Sequence, residues 1–170
     1  MTDRFPDCLA FVLKAEGGFS DDPADPGGAT MHGVTQRVYN AYRTNLGLPT
    51  QSVANIADSE VSDIYKSEYW EPTSCGQLPV GVDLCVFDFA VNAGDTRSEE
   101  TLQQALGVTV DGQIGPQTIT AAQAADPQAL ANHMLDLREA FYQALVVRKP
   151  AEAKFLNGWT NRVAALRATL

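Results

Sequence analysis

Basic residues are scarce in this chain. Lys and Arg number 12 against 21 Asp and Glu, a formal net charge of −9 over 170 residues. A surface this acidic repels phosphate backbones and anionic membranes, so nucleic acid is not an expected partner. Cysteines are also few: Cys8, Cys75 and Cys85, an odd and unclustered set without metal-ligand spacing. They read as buried free thiols of a chain folded in a reducing compartment, with a Cys75–Cys85 pairing as the alternative. No apolar run is long enough to span a bilayer, so stable membrane insertion is not expected. The first residues, Met1-Thr2-Asp3-Arg4-Phe5-Pro6-Asp7, lack a basic segment leading into an apolar stretch. No Sec-type signal peptide is therefore expected, and an extracytoplasmic target would need another delivery route. Repeats and low-complexity segments are absent. The reading calls for no cofactor and no metal.

What is present is a helical pattern. Apolar residues make up 45% of the chain, enough for a real core in one or two small domains. Phe5, Cys8, Leu9, Val12 and Leu13 recur at helical spacing and predict a helix over residues 3–16, stopped by Gly17-Gly18. Residues 17–34 hold too much Gly, Pro and Asp for a helix and leave room for a short hairpin. Helices follow over 35–46, with Thr35 as cap, and from Asp58, as N-cap, to Trp70-Glu71-Pro72. The segment Val82–Asn92 is apolar on nearly every side, which predicts a buried central helix. Asp88 and Asn92 share one of its faces. They read either as a satisfied buried polar pair bracing a neighbouring loop or as a substrate contact. Further helices are predicted over 98–106, 116–125, 127–147 (capped by Asp126) and 151–168. The fold class is mainly α, with a turn-rich segment after the first helix.

Glu16 stands out chemically. The C-terminal end of a helix carries partial negative charge and prefers cations. A carboxyl placed there keeps its proton more readily, as a general acid near neutral pH must. Asp25 follows nine residues on and Thr30 fourteen on. Cleaving a glycosidic bond needs an acid to protonate the leaving oxygen and a second group to steady the sugar carbon or activate water. Glu16 with Asp25 can supply both, and Thr30 can hold the water. The bland alternative is that Asp21, Asp22 and Asp25 only form Asx-type turns. Their spacing does not match a calcium-binding EF-hand loop.

Glu16-Gly17-Gly18-Phe19, Asp25-Pro26-Gly27-Gly28-Ala29-Thr30 and Gly33-Val34-Thr35 resemble the signature of the phage-type N-acetylmuramidases of glycoside hydrolase family 108. The resemblance continues through Tyr69-Trp70-Glu71-Pro72, Leu78-Pro79-Val80-Gly81 and Phe87-Asp88-Phe89-Ala90-Val91-Asn92-Ala93-Gly94. Leu102–Gly107 with Val110–Thr118 is similar to the predicted peptidoglycan-binding region that follows in that family. Gly158-Trp159-Thr160-Asn161-Arg162 matches its closing Gly-Trp-x-x-Arg helix.

The resemblance implies a lysozyme-like fold, with residues 1–94 as catalytic region and 95–170 as a peptidoglycan-binding region, packed as one compact unit. It implies cleavage of the β-1,4 bond between N-acetylmuramic acid and N-acetylglucosamine, with Glu16 as catalytic acid. The Glu…Asp…Thr order is also similar to the triad of T4-type phage lysozymes, one residue shorter before the Thr. Thr35 therefore competes with Thr30. His32, Thr35, Tyr69, Trp70 and Asn92 are the candidate substrate contacts. Trp159 is a further aromatic, read as core. The expected partner is peptidoglycan, met by a monomer made in the bacterial cytoplasm. A holin or a secretion system would release it to the periplasm or cell wall, as for an endolysin. The rivals are a lytic transglycosylase, which leaves anhydro-muramic ends, and a non-catalytic wall-binding or virion module. The Val110–Gly115 motif alone is explained as a turn leading into a helix.

Overall fold

Pro6 in the first turn and Gly17 just past the last bound helix α1, Phe5–Glu16. Gly17 takes φ 75, a conformation open to glycine at little cost. The structure is a computed structural model that describes residues 3–20 and 29–170. Phe5, Cys8, Leu9 and Val12 form the buried stripe of α1, as their spacing predicts.

The chain resumes in two short strands, β1 (Thr30–Met31) and β2 (Val34–Thr35). They pair antiparallel, with Met31 opposite Val34 and Thr30 opposite Thr35. Ser20 bridges to the outer side of β1, exchanging bonds of 2.9 and 2.8 Å with Thr30. His32 and Gly33 form the tip, both at positive φ (50 and 76). That is the pattern of a type I′ hairpin turn, whose twist matches the flanking strands. Helix α2 (Gln36–Asn45) starts at Thr35, whose Oγ1 accepts the Val38 N–H at 3.3 Å. Helix α3 runs Asp58–Tyr65 and continues as a π-helical turn over Lys66–Trp70. Asp58 is its first residue rather than its cap. Ala57 holds the cap position, and Glu60 reaches back to accept the Ala57 N–H at 3.0 Å. Glu60 also accepts from the Tyr39 hydroxyl at 2.5 Å and Arg43 at 2.7 Å, which ties α2 to α3.

Residues Met1–Glu68 form one compact unit and Tyr69–Leu170 a second. The second is helical: α4 (Val82–Ala93), α5 (Asp95–Leu106), α6 (Pro116–Ala124), α7 (Pro127–Arg148) and α8 (Leu156–Arg167). Every residue of α4 from Val82 to Ala90 is buried. A helix apolar on all sides needs neighbours on all sides, and α4 packs against α5 and α7 while α7 packs against α8. This is why α4 groups in space with the chain that follows it, in the second unit. Asp126 caps α7, accepting the Ala129 N–H at 2.7 Å, as its sequence position predicts.

All three cysteines are buried thiols, none of them in a disulfide. Burial pushes the Cys85 thiol up to about 12. Among the described residues no helix is long and apolar enough to cross a membrane. Nor does any group of His, Cys, Asp and Glu among them have the makings of a metal site.

Candidate active site

Glu16 is the last residue of α1, half-buried, with its side chain laid against the hairpin tip. A Cβ added to Gly33 would stand 3.1 Å from Glu16 Oε2 and 3.3 Å from its Cγ. Position 33 must therefore be glycine on two counts, its positive φ and this close approach. The tip is tied down from both sides. His32 Nδ1 meets the Gly17 carbonyl at 3.2 Å, and the Tyr65 hydroxyl donates to the His32 carbonyl at 2.8 Å. Helix end, hairpin tip and α3 thus converge where the carboxyl emerges.

Thr30 and Thr35 lie on the same side of this hairpin. Thr30 spends its backbone N–H and C=O on Ser20, so the Thr30–Thr35 pair is a non-hydrogen-bonded one. Directly opposed side chains in such a pair project from one face, close together. The two threonines are neighbours there. Thr35 Oγ1 is partly spent on capping α2. Asp25 lies outside the described residues. A pocket of about 310 Å³ opens beside the tip, lined by Ala10, Leu13, Lys14, His32, Asp58 and Val61.

The remaining candidates belong to the second unit. Trp70 is buried and packs edge-on to Phe87 at 5.3 Å, which leaves no open ring face for a sugar. Tyr69 is half-buried. The Asn92 side-chain oxygen accepts the Tyr142 hydroxyl proton. That bond ends a chain of polar contacts. Arg162 reaches Asp88 at 2.9 Å, Asp88 pairs with Arg138 at 2.7 Å, and Arg138 Nε donates to the Tyr142 oxygen at 2.8 Å. Asp88 and Arg138 are fully buried, so this carboxylate is compensated on two sides. Asp88 and Asn92 thus bond to side chains of helices α7 and α8, not to a loop. Trp159 stacks on Tyr142 with centroids 4.8 Å apart and remains half-exposed.

The loop before α6 is organised by Gln103, a residue that no sequence motif singles out. Gln103 is buried, and its amide accepts the N–H groups of Asp111 (3.0 Å) and Gly112 (2.9 Å). It donates to Asp111 Oδ1 at 2.6 Å and the Gln113 carbonyl at 2.9 Å. These bonds to Asp111, the Gln103 one above all, hold its carboxyl below the usual carboxylate range. A pocket of about 400 Å³ opens along this loop, lined by Val108, Thr109, Gln113 and Gln117 among others. The hold of the Tyr65 hydroxyl on the hairpin tip is likewise not marked in the sequence. The spacing of Tyr65 with Val61 and Ile64 marks it as core, and nothing in the sequence shows where its hydroxyl ends.

A mainly helical, lysozyme-like fold with a carboxylic acid at the end of its first helix, against a short hairpin, defines the class: a hydrolase of glycan chains. The chain matches the family model described as glycosyl hydrolase 108 over residues 9–94 and that of a predicted peptidoglycan domain over 97–164. A solved structure of Brucella abortus SagA is 32% identical and superposes with a TM-score of 0.81, covering 99% of this chain and 94% of that one. No curated protein matches the chain. The chain belongs to glycosyl hydrolase family 108 and carries the family's peptidoglycan-binding region. It is a glycoside hydrolase whose substrate is peptidoglycan.

Proposed function

We propose that this peptidoglycan hydrolase is an N-acetylmuramidase, cutting the β-1,4 bond between N-acetylmuramic acid and N-acetylglucosamine with Glu16 as general acid. The observation that carries this is the seating of Glu16. Its carboxyl leaves the end of α1 half-buried, oriented by the Gly33 approach. In the reaction the Glu16 carboxyl gives its proton to the glycosidic oxygen. The bonding electron pair leaves with that oxygen as the C–O bond breaks. Water supplies oxygen to the sugar carbon, and its released proton restores the acid–base balance of the site. Thr30, beside Thr35 on one hairpin face, positions the water or substrate. Asp25 serves as base or electrostatic stabiliser, a role argued from its place in sequence alone.

The decisive experiment is product analysis on purified peptidoglycan with wild type and Glu16→Gln side by side. Hydrolysis leaves reducing muramic ends; anhydro-muramic ends would instead assign a lytic transglycosylase. Glu16→Gln should lose about 10²–10⁴-fold in rate, the usual worth of a positioned acid. Full lytic activity in that variant would sink the assignment and favour a binding module. We further propose that the enzyme acts on the wall after release from the cytoplasm, as an endolysin does. Lysis from inside cells only when a membrane pore is co-expressed would support this.

A further inference from the structure

The pocket of about 400 Å³ along the loop before α6 lies wholly within the second unit and takes no part in the chemistry assigned to Glu16. The loop that lines it is pinned by the buried Gln103 amide, so its shape is set before any ligand arrives. Asp111 Oδ1 accepts from Gln103 at 2.6 Å and from the Gln113 N–H at 3.0 Å. Both bonds go to one oxygen. Among the described residues Oδ2 accepts none, and Asp111 pairs with no cation. The Gln103 bond above all holds this carboxyl below the usual range, so it is charged at neutral pH. No Lys or Arg lines the pocket.

The start of α6 brings groups of the opposite character to the same pocket. The first turn of a helix leaves N–H groups without intrahelical partners. Gly115 holds the cap position and has no side chain to offer, so the Gln117 and Thr118 N–H groups meet no acceptor among the described residues. Thr118 is 4% exposed. Its Oγ1 accepts from Gln103 at 3.4 Å, and its own proton goes to no described group. A buried hydroxyl proton at a pocket wall calls for an acceptor inside the pocket. A simple anion is repelled by Asp111, and a simple cation leaves these donors unspent. A group that carries ammonium and carboxylate on one carbon satisfies both.

We propose that this pocket is a subsite for the zwitterionic α-amino-acid end of a diamino acid in the peptidoglycan stem peptide, its ammonium on Asp111 and its carboxylate on the start of α6. The uncross-linked end of a diaminopimelate residue is such a group. The inference rests on peptidoglycan as the substrate and is independent of which glycosidic bond is cut. It also gives a chain of net charge −9 one charge-paired contact with the wall.

The test is calorimetric titration of the full chain with a synthetic stem tetrapeptide containing diaminopimelate. Two modified probes accompany it, one with the side-chain amine acetylated and one with the adjoining carboxylate converted to the carboxamide. The parent peptide should bind saturably, and each modified peptide about tenfold or more weakly, the usual worth of a hydrogen bond to a charged group. Asp111→Asn keeps an oxygen for Gln103 and Gln113 and removes only the charge. It should bind the parent about tenfold more weakly. The amide signals of Gln117 and Thr118 should shift as the wild type saturates, which reads the carboxylate contact without a substitution. No saturable binding of the parent, equal affinity for either modified peptide, unaltered affinity in Asp111→Asn, or unmoved Gln117 and Thr118 signals each overturns the proposal. These probes contain no sugar, so such a failure leaves the muramidase reading intact. Peptide binding by a wild type that releases no reducing muramic ends overturns the muramidase reading alone.

Discussion

Asp88 illustrates how much one residue can hold. Its carboxylate is fully buried between Arg138 and Arg162, side chains fifty and seventy-four positions away in the chain. Burying a charge is costly unless it is paired, and removing one partner leaves the other uncompensated. Asp88→Ala should therefore destabilise the protein by about 3–5 kcal/mol, read as a lower urea midpoint. The two motifs that contain Asp88 and Arg162 are far apart in sequence, and this ion pair is the physical link between them. Cys85 makes a prediction of the opposite kind. Burial raises its thiol from 9.0 to about 12, so the folded state keeps a proton that the unfolded chain releases. That contribution to stability is complete below about pH 9 and is lost as pH rises towards about 12. Urea midpoints measured on both sides of pH 9 should fall with rising pH, and the fall should be smaller in Cys85→Ala.

At the scale of elements, the hairpin and the loop before α6 show the same device: a short irregular segment held by one side chain from a neighbouring helix. Tyr65 of α3 holds the hairpin tip, and Gln103 of α5 holds the loop at Asp111-Gly112-Gln113. Gln103→Ala strands several backbone groups at once. A loss of about 1–3 kcal/mol follows from leaving buried partners unsatisfied. Amide exchange over residues 108–118 should quicken selectively, while α4 stays protected. The helices themselves were legible in the sequence because their apolar spacing, glycine stops and caps agree. The Asp126 cap and the buried α4 stand as expected. Asp58 is not the cap: Ala57 holds that position, and Glu60, in the first turn of the helix, accepts the Ala57 N–H. Trp70 shows the limit of composition: an aromatic beside a family motif reads as a sugar platform, but its ring is spent on Phe87 in the core.

For the molecule as a whole, charge sets the terms of its encounter with substrate. A net charge of −9 gives no attraction to an anionic wall. Binding must come from short-range contacts, and long-range repulsion must be screened first. Activity on intact walls should rise as salt is raised from low ionic strength to about 0.15 M, where the Debye length is about 8 Å. Activity on short uncharged glycan fragments should change little. A fall in wall activity over that range would show that local positive patches, not screening, govern binding.

The sequence by itself determined the helical class, the stops and caps of its elements, and the placing of Glu16 at a helix end. These are local properties, set by spacing over a few residues and by the backbone preferences of glycine, proline and capping side chains. It also determined the family, because ordered motifs run along nearly the whole chain. Only the tertiary structure decided what faces what. It set Gly33 between Glu16 and Tyr65, put Thr30 and Thr35 on one face, and spent Asn92 and Trp70 on internal partners. It grouped α4 with the helices that follow it. Such pairings join residues distant in sequence, and no local periodicity encodes them.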